Sequence, residues 1–139
     1  MRHLIFDWDQ TLAADGTTYL LQDVADLLRE LILAGHEIYV LSARTGTDPT
    51  SAILNALKNL GINIADEQVM WVGAAEYQGN ENTAQRKAAK VVEIKESKQL
   101  ANSDMLFVDD KQYIVDAVQN IGVTSMVVPT LCFIEGRIS

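Results

Sequence analysis

The chain has 139 residues, of which 48% are apolar and 22% are charged, and its formal net charge is −8. This length suffices for one hydrophobic core but not for two, so a single globular domain is expected. The acidic excess disfavours binding to nucleic acid through the overall charge of the molecule, but it leaves room for a local basic patch. No apolar run approaches the length that spans a bilayer, so a membrane-spanning protein is not expected.

The cysteine content and the two ends of the sequence indicate which kinds of metal site, cellular location and domain bounds to expect. Cys132 is the only cysteine in the sequence, so neither an intrachain disulfide nor a cysteine metal cluster is expected. The amino terminus lacks the pattern of a signal peptide, which predicts a cytoplasmic protein that holds any metal through oxygen ligands. We predict a core over 1–130 and a tail over 131–139, because Ile-Glu-Gly-Arg (134–137) resembles a processing-protease site. The sequence leaves open whether that run is native.

Five short apolar runs alternate with four segments in which apolar residues recur at helical spacing. In chain order, the predicted elements are strand 3–6, helix 20–35, strand 38–41, helix 49–61, strand 69–72, helix 83–100, strand 105–108, helix 114–122 and strand 124–128. Glycines stand at three of the helix ends, and Asp48-Pro49 is typical of a helix start. Strands that are apolar throughout predict a single α/β domain with three α/β/α layers and a five-stranded parallel sheet.

Polar residues stand where three of the predicted strands end. In chain order they are Asp7, Asp9, Thr11, Ser42, Arg44, Asp109 and Asp110. Ligands of a parallel sheet bind beyond the carboxyl ends of its strands, so these side chains are expected at one edge. Clustered carboxylates repel each other unless a cation neutralises them, and Mg²⁺ takes carboxylate oxygens while leaving positions for water and phosphate. The sequence therefore predicts a magnesium site that receives a phosphate group.

Each of these residues also has a purely structural interpretation. An Asp after a strand is common in turns and helix caps, and Ser42 taken alone is more typical of a cap or turn than of a phosphate ligand. Arg44 taken alone fits an ion pair at a helix end equally well. The spacing of Asp7, Asp9 and Thr11 gains its weight from its position at the end of the first strand.

Taken together, the motifs resemble those of the haloacid dehalogenase (HAD) superfamily. The run Ile5–Leu12 looks like its first motif, Val40–Ser42 like its second, and Phe107–Asp110 like its fourth in the double-aspartate form, over about residues 3–128. The third motif would be a lysine on the helix before the fourth strand. The resemblance implies a Rossmann-like HAD core and a magnesium-dependent phosphatase.

The resemblance also implies a role for each residue near the phosphate. Asp7 would be the nucleophile that forms a phosphoaspartate, and Asp9 would protonate the leaving oxygen and then activate the hydrolytic water. Thr11 and Ser42 would orient the attacking carboxylate and the phosphoryl oxygens, while Arg44 would lie near the phosphate.

Magnesium would be held by Asp7, Asp110 and the backbone carbonyl of Asp9, with Asp109 either as a supporting ligand or as an anchor for the ligands.

The third predicted helix carries four lysines, which are Lys87, Lys90, Lys95 and Lys98. A lysine that neutralises the nucleophile and the phosphate should lie near the start of the helix, which disfavours the last two. Lys90 is the first choice, because it precedes Asp109 by 19 residues, a spacing similar to that in phosphatase domains with an Asp-Asp ending. Lys87 is the second choice.

The segments after the first motif and after the third strand are too short to hold a cap domain, so a capless member is expected. An open site favours a phosphate carried by a phosphoprotein or a nucleic-acid end, or a small molecule enclosed by a neighbouring subunit. The segment 42–50 is similar to the 3′-phosphatase domain of phage-type polynucleotide kinase-phosphatases, which makes a nucleic-acid terminus the first choice. The net charge argues against tight duplex binding rather than against recognition of an end.

Other classes of protein share parts of this pattern. A receiver-like, phosphate-sensing module also has an acidic cluster, but it places its phosphorylated aspartate after the third strand, where Val72-Gly73-Ala74 carries no acid. A dinucleotide-binding fold would need a Gly-x-Gly-x-x-Gly motif after the first strand, and none is present. A member without turnover is disfavoured because every candidate catalytic side chain is retained. The physiological substrate and the oligomeric state stay open.

Overall fold

The structure is a computed structural model that describes residues 2–14, 17–73 and 79–128, with side chains from 82 onward in the last range. In these ranges, five strands and four α-helices alternate: β1 His3–Asp7, α1 Gln22–Leu33, β2 Glu37–Arg44, α2 Thr50–Asn59, β3 Val69–Gly73, α3 Gly79–Lys98, β4 Met105–Asp109, α4 Gln112–Asn120 and β5 Thr124–Val127. The predicted fold class is confirmed. The predicted tail over 131–139 lies outside the described residues.

The five strands form one parallel sheet in the order β3-β2-β1-β4-β5. The chain starts in the centre with β1, builds outward through β2 and β3, and then returns to build the other half through β4 and β5. The strand order therefore reverses between β1 and β4. Sheets of this kind bind ligands in the crevice beyond the strands' carboxyl ends at such a reversal.

Helices cover both faces of the sheet, and side-chain alternation along each strand decides which face a residue meets. Phe6 and Val108 pack in the cluster formed with α1 and α2, whereas Ile5 and Phe107 pack in the cluster formed with α3 and α4. Successive strand residues point to opposite faces, so Asp7, two residues after Ile5, lies on the α3 and α4 side. Asp109 follows Phe107 in the same way, and both acids therefore face the same pair of helices.

Two elements extend by three or more residues beyond a predicted bound. β2 continues past Ser42 to Arg44, because Ser42, Ala43 and Arg44 pair in register with three residues of β3. α3 begins at Gly79, four residues before the predicted start. The extension of β2 brings Arg44 to the end of the sheet from which the polar residues project.

Gly35 ends α1 with a φ of 91°, a left-handed conformation that glycine adopts at little cost. None of the helices in the described part of the chain is both long and apolar enough to cross a membrane.

Candidate active site

A cavity of about 430 Å³ opens at the carboxyl ends of the central strands. We call it the rim cavity. Its wall includes seven charged residues, which are Asp7, Asp9, Arg44, Lys87, Asp109, Asp110 and Lys111. The structure thus brings acids that are distant in the sequence together at one edge of the sheet, as predicted.

Asp7 is held in the rim cavity through both of its carboxylate oxygens. Its Oδ1 accepts a hydrogen bond of 2.6 Å from Lys87 Nζ, and its Oδ2 accepts one of 2.9 Å from Thr11 Oγ1. Thr11 reaches back because the turn after β1 is tight, with two backbone N–H groups donating to the carbonyl oxygen of Trp8 at 3.0 Å. Both carboxylate oxygens of Asp7 are therefore held in one orientation.

Lys87 links Asp7 to the neighbouring strand. Its Nζ also donates a hydrogen bond of 2.9 Å to Asp109 Oδ2, and its side chain is only 2% exposed. The other oxygen of Asp109 accepts a 3.0 Å hydrogen bond from the backbone N–H of Lys111. One buried ammonium thus stands between two buried carboxylates on adjacent strands.

A third carboxylate completes an acidic cluster. One oxygen from each of Asp7, Asp109 and Asp110 lies within 4.8 Å of the others. Asp110 Oδ2 is buried and has no hydrogen-bond donor among the described residues, although Lys111 Nζ lies 3.5 Å away. Buried carboxylate oxygens without a donor are costly unless a cation satisfies them, and an all-oxygen donor set suits Mg²⁺. These residues fit a divalent metal.

Asp9 stands apart from that cluster. Its carboxylate accepts two hydrogen bonds from Arg44, from Nε at 2.8 Å and from Nη2 at 2.7 Å. This bidentate geometry fixes a carboxylate in both position and plane. Arg44 was expected near the phosphate, and the structure places it in the wall of the rim cavity with its guanidinium on Asp9.

Comparison with known proteins assigns the family. The model of the Acid Phosphatase family matches residues 9–136. This chain belongs to the Acid Phosphatase family. The match begins two residues after Asp7, so the place of Asp7 in the site rests on the geometry described above. No curated protein matches the sequence.

Solved structures share the fold of this acid phosphatase. D,D-heptose 1,7-bisphosphate phosphatase from B. bronchiseptica, solved with magnesium and phosphate, has a TM-score of 0.75 at 13% identity, over 99% of this chain and 87% of that one. A haloacid dehalogenase-like hydrolase from Streptococcus pneumoniae has a TM-score of 0.57 at 15% identity, over 91% and 84%. A phosphoserine phosphatase, solved as an analogue of its phospho-aspartyl intermediate, has a TM-score of 0.56 at 11% identity, over 99% of each chain.

These likenesses show the HAD fold, and the family match shows the enzyme class. The family match makes this chain a hydrolase of phosphoric ester bonds, as the sequence predicts.

Burial shifts the acid–base equilibria of this cluster. Desolvation raises the pKa of Asp7 to about 8, against the opposing charge of Lys87, and the charge of Asp109 adds to the rise. Desolvation likewise raises the pKa of Asp109. For Lys87, desolvation acts to lower the pKa, but the charges of Asp7 and Asp109 outweigh it and raise the pKa. Without a bound metal, Asp7 and Asp109 therefore hold protons more tightly than exposed carboxylates do.

The choice of Lys90 as the site lysine is wrong in this structure. Lys90 Nζ pairs with Glu93 at 2.7 Å on the same helix, and Lys87 contacts the acids instead. The rotation of α3 over the sheet, rather than the spacing from Asp109, decides which lysine contacts the acids. Lys87 shares the buried stripe of Ala84, Ala88 and Val91, whereas Lys90 points about 100° away from Val91 on the helix. That apolar stripe was the signal in the sequence that identifies Lys87.

Ser42 is buried with 0% exposure, and its Oγ has no hydrogen-bond partner among the described residues. Among those residues it does not belong to the wall of the rim cavity, whereas its neighbours Ala43 and Arg44 do. A buried hydroxyl without a partner is unusual and costs stability. Its role as a phosphate ligand stays a prediction.

Proposed function

We propose that this acid phosphatase is a magnesium-dependent phosphomonoesterase that acts through a phosphoaspartate on Asp7. The supporting observation is that Asp7 lies in the wall of an open cavity with both of its oxygens held, by Lys87 and by Thr11. A nucleophile fixed in this way needs little reorganisation to attack, which favours in-line transfer. The acids that surround it supply the charge for a metal.

The reaction proceeds in two half-reactions. A carboxylate oxygen of Asp7 attacks phosphorus, the ester P–O bond breaks, and the leaving oxygen takes a proton from Asp9. A water oxygen then attacks the phosphorus of the acyl phosphate and gives its proton to Asp9. The bond between phosphorus and Asp7 breaks, and inorganic phosphate leaves with both side chains restored.

Asp7 and Asp110, together with the backbone carbonyl oxygen of Asp9, would hold the magnesium ion, with Asp109 as a supporting ligand. When bound, Mg²⁺ screens the negative charge between the Asp7 carboxylate and the phosphoryl oxygens. Lys87 supplies a further fixed positive charge from the buried side of the cluster. Its two hydrogen bonds also stop Asp7 and Asp109 from turning away from the cavity.

Arg44 is a positioning residue for Asp9. Its planar guanidinium holds both Asp9 oxygens, so the acid faces the rim cavity in one plane. Because Asp9 must exchange a proton at the leaving oxygen, its position controls reactions of poor leaving groups more than those of good ones. Arg44 therefore contributes to the reaction through Asp9.

The proposed substrate is a phosphate presented to an uncapped site. Five residues join β3 to α3, and the described part of the segment between β1 and β2 contains only turns and α1, so neither connection has the length of a cap domain. An uncapped site suits a phosphate at the end of a larger molecule. A nucleic-acid 3′ end is our first choice, on the similarity of the segment 42–50, and a phosphoprotein and a small metabolite closed in by a second subunit are the alternatives.

The experiment that tests this activity uses p-nitrophenyl phosphate with the purified chain, in excess Mg²⁺ and in EDTA. We expect turnover only with Mg²⁺ and a loss of at least about 10³-fold in Asp7→Asn. Asp116→Asn is the matched control, because Asp116 is exposed and accepts a hydrogen bond only from Gln112 in the described structure. Turnover that survives Asp7→Asn would remove the proposed nucleophile.

A second experiment separates the substrate classes and the alternative function. A panel of 3′-phosphorylated oligonucleotides, phosphopeptides and sugar phosphates ranks the candidates by kcat/KM. Stable phosphorylation of the chain by acetyl phosphate without release of inorganic phosphate would favour the receiver-like alternative instead.

A further inference from the structure

Gln10 has a backbone conformation that is unusual for its residue type. It follows Asp9 directly and has a φ of 63°, in the left-handed region where a side chain crowds the backbone. The surrounding turn imposes this conformation, since the Gln10 N–H donates a 2.7 Å hydrogen bond to the carbonyl oxygen of Ala13. Glycine would meet the same requirement at less cost. A glutamine at this position therefore indicates that its side chain makes a functional contact.

The side chain of Gln10 is placed for contact with a ligand. It forms part of the wall of the rim cavity beside Asp7 and Asp9, and it is half-buried. Its carboxamide makes no hydrogen bond to any residue that the structure describes. The carboxamide offers two N–H donors and one oxygen acceptor. Strained residues of this kind concentrate where a site needs a group in one position.

We propose that Gln10 determines specificity for the leaving group, by hydrogen bonding to a hydroxyl on the carbon next to the ester carbon. This inference rests on the proposed function, in which Asp9 protonates the leaving oxygen. The residue adjacent to Asp9 then lies beside the atoms that follow that oxygen. A hydroxyl both donates and accepts, and so matches the carboxamide. Polyol and sugar phosphates carry such a hydroxyl, and so does the terminal ribose of RNA with a 3′-phosphate.

A matched pair of substrates isolates this contact. Glycerol 2-phosphate and isopropyl phosphate share a carbon skeleton and differ only in the two hydroxyls. We expect the wild-type enzyme to prefer glycerol 2-phosphate in kcat/KM, and Gln10→Ala to lower that preference about five- to tenfold, the worth of one neutral hydrogen bond. Because the ratio compares two substrates in one variant, a general loss of activity cancels.

Gln10→Gly serves as a second variant that is compatible with the fold. It should lower the preference by the same factor and raise Tm, since glycine relieves the left-handed strain. Gln99→Gly is the matched control. Gln99 is the second non-glycine residue with positive φ among the described residues, at 55°, and it is exposed at the end of α3, outside the wall of the rim cavity. Gln99→Gly should raise Tm and leave the substrate preference unchanged.

The outcomes distinguish a failure of the specificity proposal for Gln10 from a failure of the proposed phosphatase function. If the wild-type enzyme hydrolyses both substrates but shows no preference, or keeps its preference in both Gln10 variants, the inference is wrong and the proposed function stands. If the wild-type enzyme hydrolyses no phosphomonoester with Mg²⁺, both are wrong. Oligonucleotides with a ribose or deoxyribose 3′-phosphate then identify the source of the hydroxyl. A Gln10-dependent preference for ribose indicates an RNA end, and a preference confined to glycerol 2-phosphate indicates a free polyol or sugar.

Discussion

Lys87 Nζ lies 2.6 Å from Asp7 Oδ1, although 80 residues separate the two in the chain. The same ammonium lies 2.9 Å from Asp109 Oδ2, so it joins the first strand, the third helix and the fourth strand at one point. Breaking a buried ion pair by removing one partner costs about 3–5 kcal/mol, because the remaining charge stays buried without compensation. Lys87 therefore serves both the stability of the fold and the charge balance of the site.

Lys87→Met should abolish detectable turnover of p-nitrophenyl phosphate and lower the free energy of unfolding in EDTA by about 3 kcal/mol. Denaturant unfolding and steady-state kinetics measure the two effects. Lys90→Met is the control, since its surface pair with Glu93 is worth only about 0.5 kcal/mol. Full activity in Lys87→Met, or a larger loss in Lys90→Met, would contradict the assignment of the site lysine.

Asp9→Asn and Arg44→Lys should both slow the hydrolysis of alkyl phosphates more than that of p-nitrophenyl phosphate. The reason is that p-nitrophenolate leaves without a proton, whereas an alkoxide needs one from Asp9. We expect a loss of about 10²-fold or more in kcat for the alkyl substrate in Asp9→Asn, and a smaller loss with the same leaving-group dependence in Arg44→Lys.

Arg29→Lys, which alters an exposed pair with Asp26 on α1, controls for the general effect of the substitution. An equal loss on both substrates in Arg44→Lys would show that Arg44 does not act through Asp9.

Ser42→Ala should lower kcat/KM by about tenfold while leaving stability unchanged or slightly raised. Its Oγ has no partner in the described structure, so its removal relieves a desolvation cost and breaks no hydrogen bond. Ser125→Ala is the contrasting control, because Ser125 Oγ donates a buried hydrogen bond of 3.0 Å to the carbonyl oxygen of Val123. That variant should lose about 1 kcal/mol of stability and keep its activity. Unchanged kcat/KM in Ser42→Ala would leave Ser42 without a role at the phosphate.

The metal-free protein should lose stability as the pH rises from about 4 to about 8. Folding raises the pKa of Asp7 from 3.8 to about 8, because burial disfavours its charged form. In this range the native state binds more protons than the unfolded state, so the free energy of unfolding falls with increasing pH. We expect a difference on the order of 1–3 kcal/mol between pH 5 and pH 8 in EDTA.

Added Mg²⁺ should stabilise the protein more at pH 8 than at pH 5, since the cation competes with protons for the same oxygens. Thermal unfolding at both pH values, with and without Mg²⁺, measures this. Asp7→Asn should flatten the pH dependence, and a wild-type Tm in EDTA that rises from pH 5 to pH 8 would contradict the prediction.

The sequence predicts the fold and much of the site because both depend on local patterns. Apolar runs such as Met105–Val108 alternate with segments of helical periodicity, which predicts a parallel sheet covered by helices. Acids follow two of these runs, at Asp7 and Asp109, so they are expected at one edge of that sheet. Gln10 carried no such signal, because its φ depends on how the turn closes on Trp8 and Ala13.

The order of residues along the chain was sufficient to place the acids at the ends of their strands, since a strand's alternation and its end are properties of a few consecutive residues. The tertiary structure alone decided which lysine reaches Asp7 and which cation holds Asp9. These contacts depend on the rotation of α3 over the sheet and on the extension of β2 to Arg44 by pairing with β3. Both are set by packing between segments far apart in the chain, where a shift of one residue turns a side chain by about 100° on a helix or to the opposite face of a sheet.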